Sequence, residues 1–251
     1  MFWPNEAEVK MLPIMSRNKQ FFEGKTVMEI GTGSGIVSLY AAQLGAKKVV
    51  ATDISPEAIA AANANAEGLG LSDIVDFRLV PLDDMSAYSV IDENESFDVI
   101  ISNPPYALDL DAPVNTAAVD TGDLGFSIIR GLDKHLNKDG ITILFYGSMF
   151  YHGVMAKFAR YSGYDVRNHD SVVLYRWEAE TLFNSYMSKL LEREHVDPNA
   201  FVFDHEKDYG LSQKFLANEA LTPARVKYKR LIPGERGFNW YPGMMVIRHP
   251  D

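Results

Sequence analysis

Short apolar segments alternate with helical segments along the first two thirds of the chain. Runs rich in Val, Ile and Met are typical of strands that are buried in a parallel sheet. The predicted strands are 25–30, 48–53, 74–80, 97–101, 141–146, one that begins near 163, and a last one at 243–248. The predicted helices are 36–44, 56–67, 124–136 and 150–161, and a turn is expected at 137–140. This alternation predicts a three-layer α/β fold with a mostly parallel sheet.

The pattern changes after residue 169. Residues 177–195 have the apolar spacing of a long amphipathic helix, and irregular sequence with several aromatic residues follows. Because the last predicted strand begins only at 243, residues 170–242 form a predicted insertion that is far longer than ordinary connections. We therefore expect a core at 1–169, a lid or specificity lobe at 170–242, and the last core strand within 243–251. A dimerisation arm is the alternative interpretation of the insertion.

The composition narrows the class of protein. The chain has 251 residues, of which 47% are hydrophobic, and this length suits one α/β domain with an insertion. No apolar run approaches the roughly 20 residues that a membrane span requires, and no secretory signal is visible at the N-terminus. The absence of Cys excludes disulfides and thiolate chemistry. We expect a cytoplasmic protein that has no membrane attachment.

The charge of the chain disfavours one class of partner. The formal net charge is −10, and most of it lies within residues 1–167. An acidic body repels polyanions, so long nucleic acid is a disfavoured substrate. The run 225–230 is the local exception, because four of its six residues are basic. It could contact phosphates or an acidic peptide, although a solvated strand or helix end is the interpretation that we favour. The six His residues share no ligand spacing, so we predict no metal site.

A glycine-rich turn follows the first predicted strand directly. The turn reads Gly31-Thr32-Gly33-Ser34-Gly35 and leads into a helix, which is typical of nucleotide-binding loops. Ile36 occupies the position where a dinucleotide-binding loop requires a small residue, and the Lys of a P-loop is absent. Glu29 lies just before the turn, and its carboxylate would repel a pyrophosphate but suits an amino group or a sulfonium. Phosphate binding is therefore disfavoured.

Acidic residues follow the second and third predicted strands. Asp53 lies about 20 residues after Gly33, which is the spacing expected for a contact with ribose hydroxyls. Asp83 and Asp84 follow the third strand, where a carboxylate could accept a hydrogen bond from an adenine amino group. A solvated turn is the alternative interpretation of this pair.

The fourth predicted strand ends at an unusual polar segment, Ser102-Asn103-Pro104-Pro105-Tyr106. The two prolines fix φ and remove two backbone donors, so the carbonyl groups of Asn103 and Pro104 can face a cavity. The side chain of Asn103 adds another acceptor. Such acceptors could bind both hydrogens of a planar NH2 group while Tyr106 packs on its plane. An ordinary surface turn is the alternative.

Together these segments resemble the class I S-adenosylmethionine-dependent methyltransferases that carry an Asn-Pro-Pro-Tyr motif. The resemblance rests on residues 27–35, Asp53, the region of Asp83, and residues 103–106, and it covers about residues 1–166. Residues 2–8 and 118–125 are similar to the release-factor glutamine methyltransferase branch, and adenine-N6 methyltransferases share the same tetrapeptide. The resemblance implies a Rossmann-like sheet of seven strands in the order 3-2-1-4-5-7-6.

The resemblance also implies the cofactor, S-adenosylmethionine, and the roles of individual residues. Glu29 and the glycine turn would hold its methionine part, Asp53 its ribose, and Asp83 or Asp84 its adenine. The candidate catalytic residues, which would bind the target nitrogen, are Asn103, Pro104, Pro105 and Tyr106. The candidate cofactor-binding residues are Glu29, Gly31, Thr32, Gly33, Gly35, Asp53, Ile54, Asp83, Asp84 and Asn103.

Methyl transfer from a sulfonium is an in-line displacement that needs alignment but neither a metal nor a strong base. We therefore predict N-methylation of an amide or amino group on a protein or a small molecule. An RNA or DNA adenine-N6 methyltransferase is the alternative. A regulatory module that binds the cofactor without catalysis is a third hypothesis, from a different class. The sequence leaves the acceptor and the oligomeric state open.

Overall fold

The structure is a computed structural model. It describes residues 6–84, 86–104, 107–108, 119–120, 124–147, 152–170, 175–177, 238–240 and 242–250. The predictions for Pro105 and Tyr106, for residues 2–5, and for most of the insertion at 170–242 lie outside the described residues. The helix expected at 177–195 also lies outside them, apart from Trp177, which ends a short strand. Within the described part of the chain, no helix has the length and apolarity needed to cross a membrane.

Five helices and eleven strands are described, and the helices and strands alternate as the sequence predicts. The helices are α1 Glu6–Arg17, α2 Ile36–Gln43, α3 Pro56–Leu69, α4 Leu124–His135 and α5 His152–Tyr161. The strands are β1 Thr26–Ile30, β2 Lys48–Asp53, β3 Val75–Leu79, β4 Phe97–Ser102, β5 Ala107–Leu108, β6 Val119–Asp120, β7 Leu136–Gly147, β8 Asp165–Asp170, β9 Tyr175–Trp177, β10 Phe238–Trp240 and β11 Pro242–Arg248. A single 3₁₀ turn, Lys19–Phe21, follows α1.

Seven of the strands form one sheet in the order β3-β2-β1-β4-β7-β11-β8. Numbered among themselves along the chain, these strands have the order 3-2-1-4-5-7-6, which confirms the expected topology. The pairs β1–β2, β1–β4, β2–β3 and β4–β7 are all parallel. The α/β fold class is therefore confirmed, and the carboxyl ends of these strands share one edge of the sheet.

The chain divides into two compact units. The first comprises Met1–Pro104, Asp123–Leu144 and Ile247–Asp251, and the second comprises Pro105–Gly122 and Phe145–Val246. In the second unit, β5 pairs with β6 and β9 pairs with β10 in two-stranded sheets. Arg160 of α5 donates a hydrogen bond from Nη2 to the carbonyl oxygen of Val166 in β8 at 3.0 Å. The glycine turn, Asp53, Asn103 and Pro104 belong to the first unit.

The core of the first unit is built on strands that are buried on both faces. Successive residues of β1, β2 and β4 are almost completely buried, because helices cover both sides of a parallel sheet. These residues are Val27, Met28, Ile30, Val49, Val50, Ala51, Val99, Ile100 and Ile101. Helix α3 packs through a stripe of buried alanines at positions 58, 62 and 66. Small side chains at this spacing allow the helix to approach the loop that follows β1.

The turn expected at 137–140 is an irregularity within β7. The register changes from Phe97 opposite Leu136 to Val99 opposite Ile141, so β7 has extra residues at this point. A Cβ on Gly140 would lie 3.0 Å from the carbonyl oxygen of Asp98. Glycine therefore lets the bulge pack against β4. The prediction of a separate turn is wrong because α4 ends at His135 and β7 begins at the next residue.

Candidate functional site

The carboxyl ends of three neighbouring strands lie side by side. Ile30 of β1 is the register partner of Thr52 in β2 and of Ser102 in β4. Because the strands are parallel, the segments that follow them begin at the same edge of the sheet. The glycine turn, Asp53 and Asn103 therefore lie at one edge, although they are distant in the sequence. Open α/β sheets bind their ligands at such an edge.

The glycine turn has a backbone that other residues rarely adopt. Gly31, Gly33 and Gly35 have φ angles of 78°, 55° and 83°. A Cβ on Gly35 would also lie 3.0 Å from the Cβ of Ala62 and 3.2 Å from Cζ of Phe77. Among the described residues, none lies within 4 Å of the position of a Cβ on Gly31. The turn thus packs closely on α3 and leaves open space over its first glycine, where a ligand can approach the backbone.

The turn is anchored to β2 through the backbone and through Asp53. The backbone N–H groups of Gly31 and Thr32 donate to the carbonyl oxygen of Thr52 at 2.8 and 2.9 Å. Oδ2 of Asp53 accepts from the N–H of Gly33 at 2.8 Å, and Oδ1 accepts from the N–H of Ser55 at 2.9 Å. A carboxylate oxygen has capacity for more than one donor. The half-buried Asp53 is therefore oriented by the protein and can still accept from ligand hydroxyls.

Glu29 lies beneath the turn and is almost completely buried. Its side chain is 3% exposed, and Oε2 accepts from Oγ1 of Thr32 at 2.7 Å. The same oxygen accepts from the N–H of Ser38 at 2.9 Å and from the Ser38 hydroxyl. Gly35, the N-cap residue of α2, has no side chain to cap the helix. Glu29 supplies the missing acceptor, and its negative charge at a helix N-terminus is favourable.

Ser38 is the residue of this edge that the sequence prediction missed. The signal was present, since Ser38 is a hydroxyl residue in the first turn of an otherwise apolar helix segment, Ile-Val-Ser-Leu. A polar residue that is buried in such a position requires a hydrogen-bond partner. The partner itself is nine residues away and could not be identified from the local pattern.

Asp83 and Asp84 lie in an exposed turn after β3. Leu79, the last residue of β3, is the register partner of Asp53, so this turn begins at the same edge as the other site residues. The carboxylate of Asp84 accepts from the N–H of Ser86 at 3.2 Å. Ile54, which directly follows Asp53, is half-buried. The structure thus brings these residues to the site edge, and their contacts with adenine stay a prediction.

Asn103 and Pro104 are the members of the motif that the structure describes. The hydroxyl of Ser102 is fully buried and donates to the carbonyl oxygen of Ile30 at 2.8 Å, which fixes the end of β4 against β1. Asn103 is half-buried and Pro104 is buried. The strand end that carries the two residues is therefore held rigidly beside the glycine turn. Their role in binding a target nitrogen stays a prediction.

The electrostatics of this edge suit a cationic ligand. Glu57 lies in the first turn of α3, close along the chain to Asp53. A hydrogen bond from its own backbone N–H lowers the pKa of the Glu57 carboxyl below its ordinary value, and the Ser55 hydroxyl adds to this effect. The carboxylates at 53, 57, 83 and 84 therefore lie in the segments that follow β2 and β3 at this edge, and Asp53 contacts the glycine turn. Among the described residues, no group of His, Asp and Glu could hold a metal ion.

Comparisons with known proteins agree with this arrangement. A model of the family "Ribosomal protein L11 methyltransferase (PrmA)" matches residues 11–118. The ribosomal protein L11 methyltransferase of Lactobacillus delbrueckii subsp. bulgaricus is 33% identical over 142 residues, which is 57% of this chain and 38% of the relative. The release factor glutamine methyltransferase of Koribacter versatilis is 37% identical over a match that covers 45% of this chain and 43% of the relative. The matches thus span less than half of these relatives.

A solved structure shows the same fold. The ribosomal protein L11 methylase of Lactobacillus delbrueckii subsp. bulgaricus superposes with a TM-score of 0.50 and 24% identity, covering 71% of this chain and 76% of that one. The predicted Rossmann-like methyltransferase fold is therefore confirmed. The family model and both relatives are named as methyltransferases. The activity and the cofactor of this chain stay predictions. Residues 11–118, which the family model matches, include the glycine turn, Asp53 and the motif at 103–106.

Proposed function

We propose that this chain transfers a methyl group from S-adenosylmethionine to an amide or amino nitrogen of a protein. One observation carries the proposal. The glycine turn, Asp53 and Asn103 lie at the carboxyl ends of β1, β2 and β4, which the shared register of Ile30 aligns. The names of the relatives support a protein as the acceptor, because one group methylates ribosomal protein L11 and another methylates a glutamine of release factors.

The residues at this edge fit the cofactor. The open space over Gly31 and the backbone of the turn would receive the methionine part, and Asp53 would accept hydrogen bonds from the ribose hydroxyls. Asp83 or Asp84 would accept from the adenine amino group, with Ile54 beside the ribose contact. The carboxylates would also favour a ligand that carries a positive sulfonium. When bound, S-adenosylmethionine supplies a methyl group that is already activated for transfer.

The chain itself would supply alignment. An amide nitrogen is a poor nucleophile because its lone pair is delocalised, so its orientation toward the methyl group matters. The side-chain oxygen of Asn103 and the carbonyl oxygen of Pro104 would accept the two hydrogens of the target NH2 group. These acceptors would stabilise the positive charge that develops on nitrogen. The nitrogen lone pair forms the new bond to carbon, the electron pair of the broken bond stays on sulfur, and the nitrogen loses one proton to solvent.

Labelling with a tritiated methyl donor tests the proposal. The protein is incubated with labelled S-adenosylmethionine and a fractionated extract from cells that lack it, so that acceptors are unmethylated. We expect label in a macromolecular fraction, and protease but not nuclease should release that label. Mass spectrometry should locate the methyl group on a nitrogen. The Asn103→Ala variant serves as the matched control and should label the fraction about 10²-fold more slowly.

Two other outcomes separate the competing hypotheses. Label that nuclease releases would favour the adenine-N6 methyltransferase and overturn the protein acceptor. Binding of S-adenosylmethionine without labelling of any fraction would favour a regulatory module that holds the cofactor.

A further inference from the structure

Three segments of the first unit meet at one oxygen atom. Oε2 of Glu29, at the end of β1, accepts from Thr32 in the glycine turn and from Ser38 in the first turn of α2. The hydroxyl oxygens of Thr32 and Ser38 are themselves 3.3 Å apart. Each of the three side chains is at most 3% exposed. This cluster is therefore closed off from solvent and cannot exchange its hydrogen bonds for bonds to water.

The cluster is the side-chain anchor of a segment that has few others. Three of the five residues from Gly31 to Gly35 are glycine and have no side chain. Glycine loses more backbone freedom on ordering than any other residue, so the shape of this turn depends on fixed anchors. The Thr32 hydroxyl supplies one anchor through Glu29. Ser38 donates to the same carboxylate oxygen with both its N–H and its hydroxyl.

Two consecutive residues of the turn, Thr32 and Gly33, have different side-chain anchors. Near Gly33, the backbone is held by Asp53, the residue that would contact ribose. Near Thr32, it is held by Glu29, which is fixed in turn by Ser38. Substitutions of Ser38 and of Asp53 would therefore disturb different anchors of this turn.

We propose that Ser38 is a positioning residue for the methionine end of the cofactor. It acts through Glu29 and Thr32 and, being 1% exposed, does not touch the ligand itself. The inference rests on the proposed function, because it assumes that the turn receives S-adenosylmethionine. Removal of the Ser38 hydroxyl would leave the buried Glu29 carboxylate with one donor fewer and would loosen Thr32. The ribose end, which Asp53 holds, should be little affected.

Calorimetry with two ligands tests whether Ser38 affects the methionine end of the cofactor more than the ribose end. 5′-Deoxy-5′-methylthioadenosine retains the adenine, the ribose and the sulfur but lacks the amino-acid part. In the Ser38→Ala variant, we expect the dissociation constant of S-adenosylmethionine to rise about tenfold or more, the scale of one hydrogen bond to a charged group. The dissociation constant of methylthioadenosine should change less than about twofold. The Ser38→Thr variant keeps the hydroxyl and should restore most of the affinity for S-adenosylmethionine.

Two controls keep the test specific. Thr142 is fully buried in β7, and its hydroxyl has no hydrogen-bond partner within the described structure. Thr142→Val therefore removes a buried hydroxyl that supports nothing at the site edge, and both dissociation constants should stay unchanged. If Ser38→Ala does not fold, Ser38→Cys replaces it, because the thiol has a similar size and is a weaker donor. In that variant, the dissociation constant of S-adenosylmethionine should again rise more than that of methylthioadenosine, but by a smaller factor than in Ser38→Ala.

Equal weakening of both ligands would overturn the inference, since a general loss of stability does not distinguish the two ends of the cofactor. Unchanged affinity for both ligands would overturn it as well. Failure of the unmodified protein to bind either ligand would instead overturn the proposed function, on which the inference rests.

Discussion

Two aspartates at opposite ends of the parallel strands are held by similar hydrogen bonds but have different surroundings. Asp53, at the carboxyl end of β2, accepts from the backbone N–H groups of Gly33 and Ser55. Asp98, near the amino end of β4, accepts from the N–H and hydroxyl of Thr26 at 2.8 and 3.0 Å. It also accepts from Nδ2 of Asn137 at 3.0 Å. Both carboxylates thus join separate segments of the chain.

The difference lies in what the two aspartates join. The partners of Asp98 belong to β1 and β7, the strands on either side of β4, so its bonds connect three strands of the sheet. The partners of Asp53 belong to the segments that follow β1 and β2, which border the candidate ligand site. In parallel α/β sheets the carboxyl ends carry function, and the amino ends contribute mainly to stability. We therefore expect the acid at the carboxyl end to serve binding and the acid at the amino end to serve folding.

Asn103→Ala should have the largest effect at the carboxyl end. The substitution removes one proposed acceptor for the target NH2 group and leaves the prolines in place. We expect the single-turnover rate to fall about 10²-fold or more, the scale for loss of one positioned hydrogen-bond partner of a developing charge. The melting temperature should be nearly unchanged. A variant with full rate and full stability would remove Asn103 from the mechanism.

Asp53→Ala should weaken the binding of the cofactor. Loss of hydrogen bonds to a charged group should weaken the binding of S-adenosylmethionine by about 1–3 kcal/mol. Isothermal titration calorimetry measures this change, and Asp98→Ala is the matched control because it removes the same group from the other end of the sheet. An affinity for the Asp53 variant that equals that of the unmodified protein would show that the ribose assignment is wrong.

Asp98→Ala should lower the stability of the fold and leave cofactor binding nearly unchanged. Three donors lose their acceptor, so the free energy of unfolding should fall by about 1–3 kcal/mol. The dissociation constant of S-adenosylmethionine should change less than about twofold, measured well below the melting temperature. Denaturant titration gives the unfolding free energy. A larger loss of cofactor affinity than of stability would contradict the proposed division between the two ends.

Acid titration should test the hydrogen bonds that Glu95 accepts from Arg78 of β3. Hydrogen bonds from Arg78 lower the pKa of Glu95 to about 2. Because the pKa of Glu95 is lower in the folded state, its contribution to stability is present above its ordinary pKa of 4.5 and is lost as the pH falls toward 2. Glu95→Gln should therefore flatten the loss of stability between about pH 5 and pH 2.

Glu93 provides the control for this titration. Its side chain is 85% exposed and pairs with Lys134 at 2.8 Å. Exposed ion pairs contribute little to stability, so Glu93→Gln should leave the pH dependence of unfolding almost unchanged. Equal effects of the two substitutions would indicate that the hydrogen bonds from Arg78 do not stabilise the fold.

The site residues were predictable from the sequence where local patterns identify them. Glycines after a buried strand, an acidic residue at the end of the next strand, and two prolines at the end of a third are signals that need no knowledge of distant partners. The alternation of apolar runs and helical spacing similarly predicted the order of strands and helices. These features are determined by backbone conformation and by burial, which act over a few neighbouring residues.

The tertiary structure decided the contacts between distant residues. Ile30 is aligned with both Thr52 and Ser102, and only this register brings Asn103 beside the glycine turn. The capping of α2 by Glu29 and the burial of Ser38 depend on how a helix packs over a strand end. The bulge at 137–140 formed where a turn was expected, because its conformation depends on Asp98 in a neighbouring strand. Such contacts join residues that are separated along the chain, and local preferences cannot specify which partners meet.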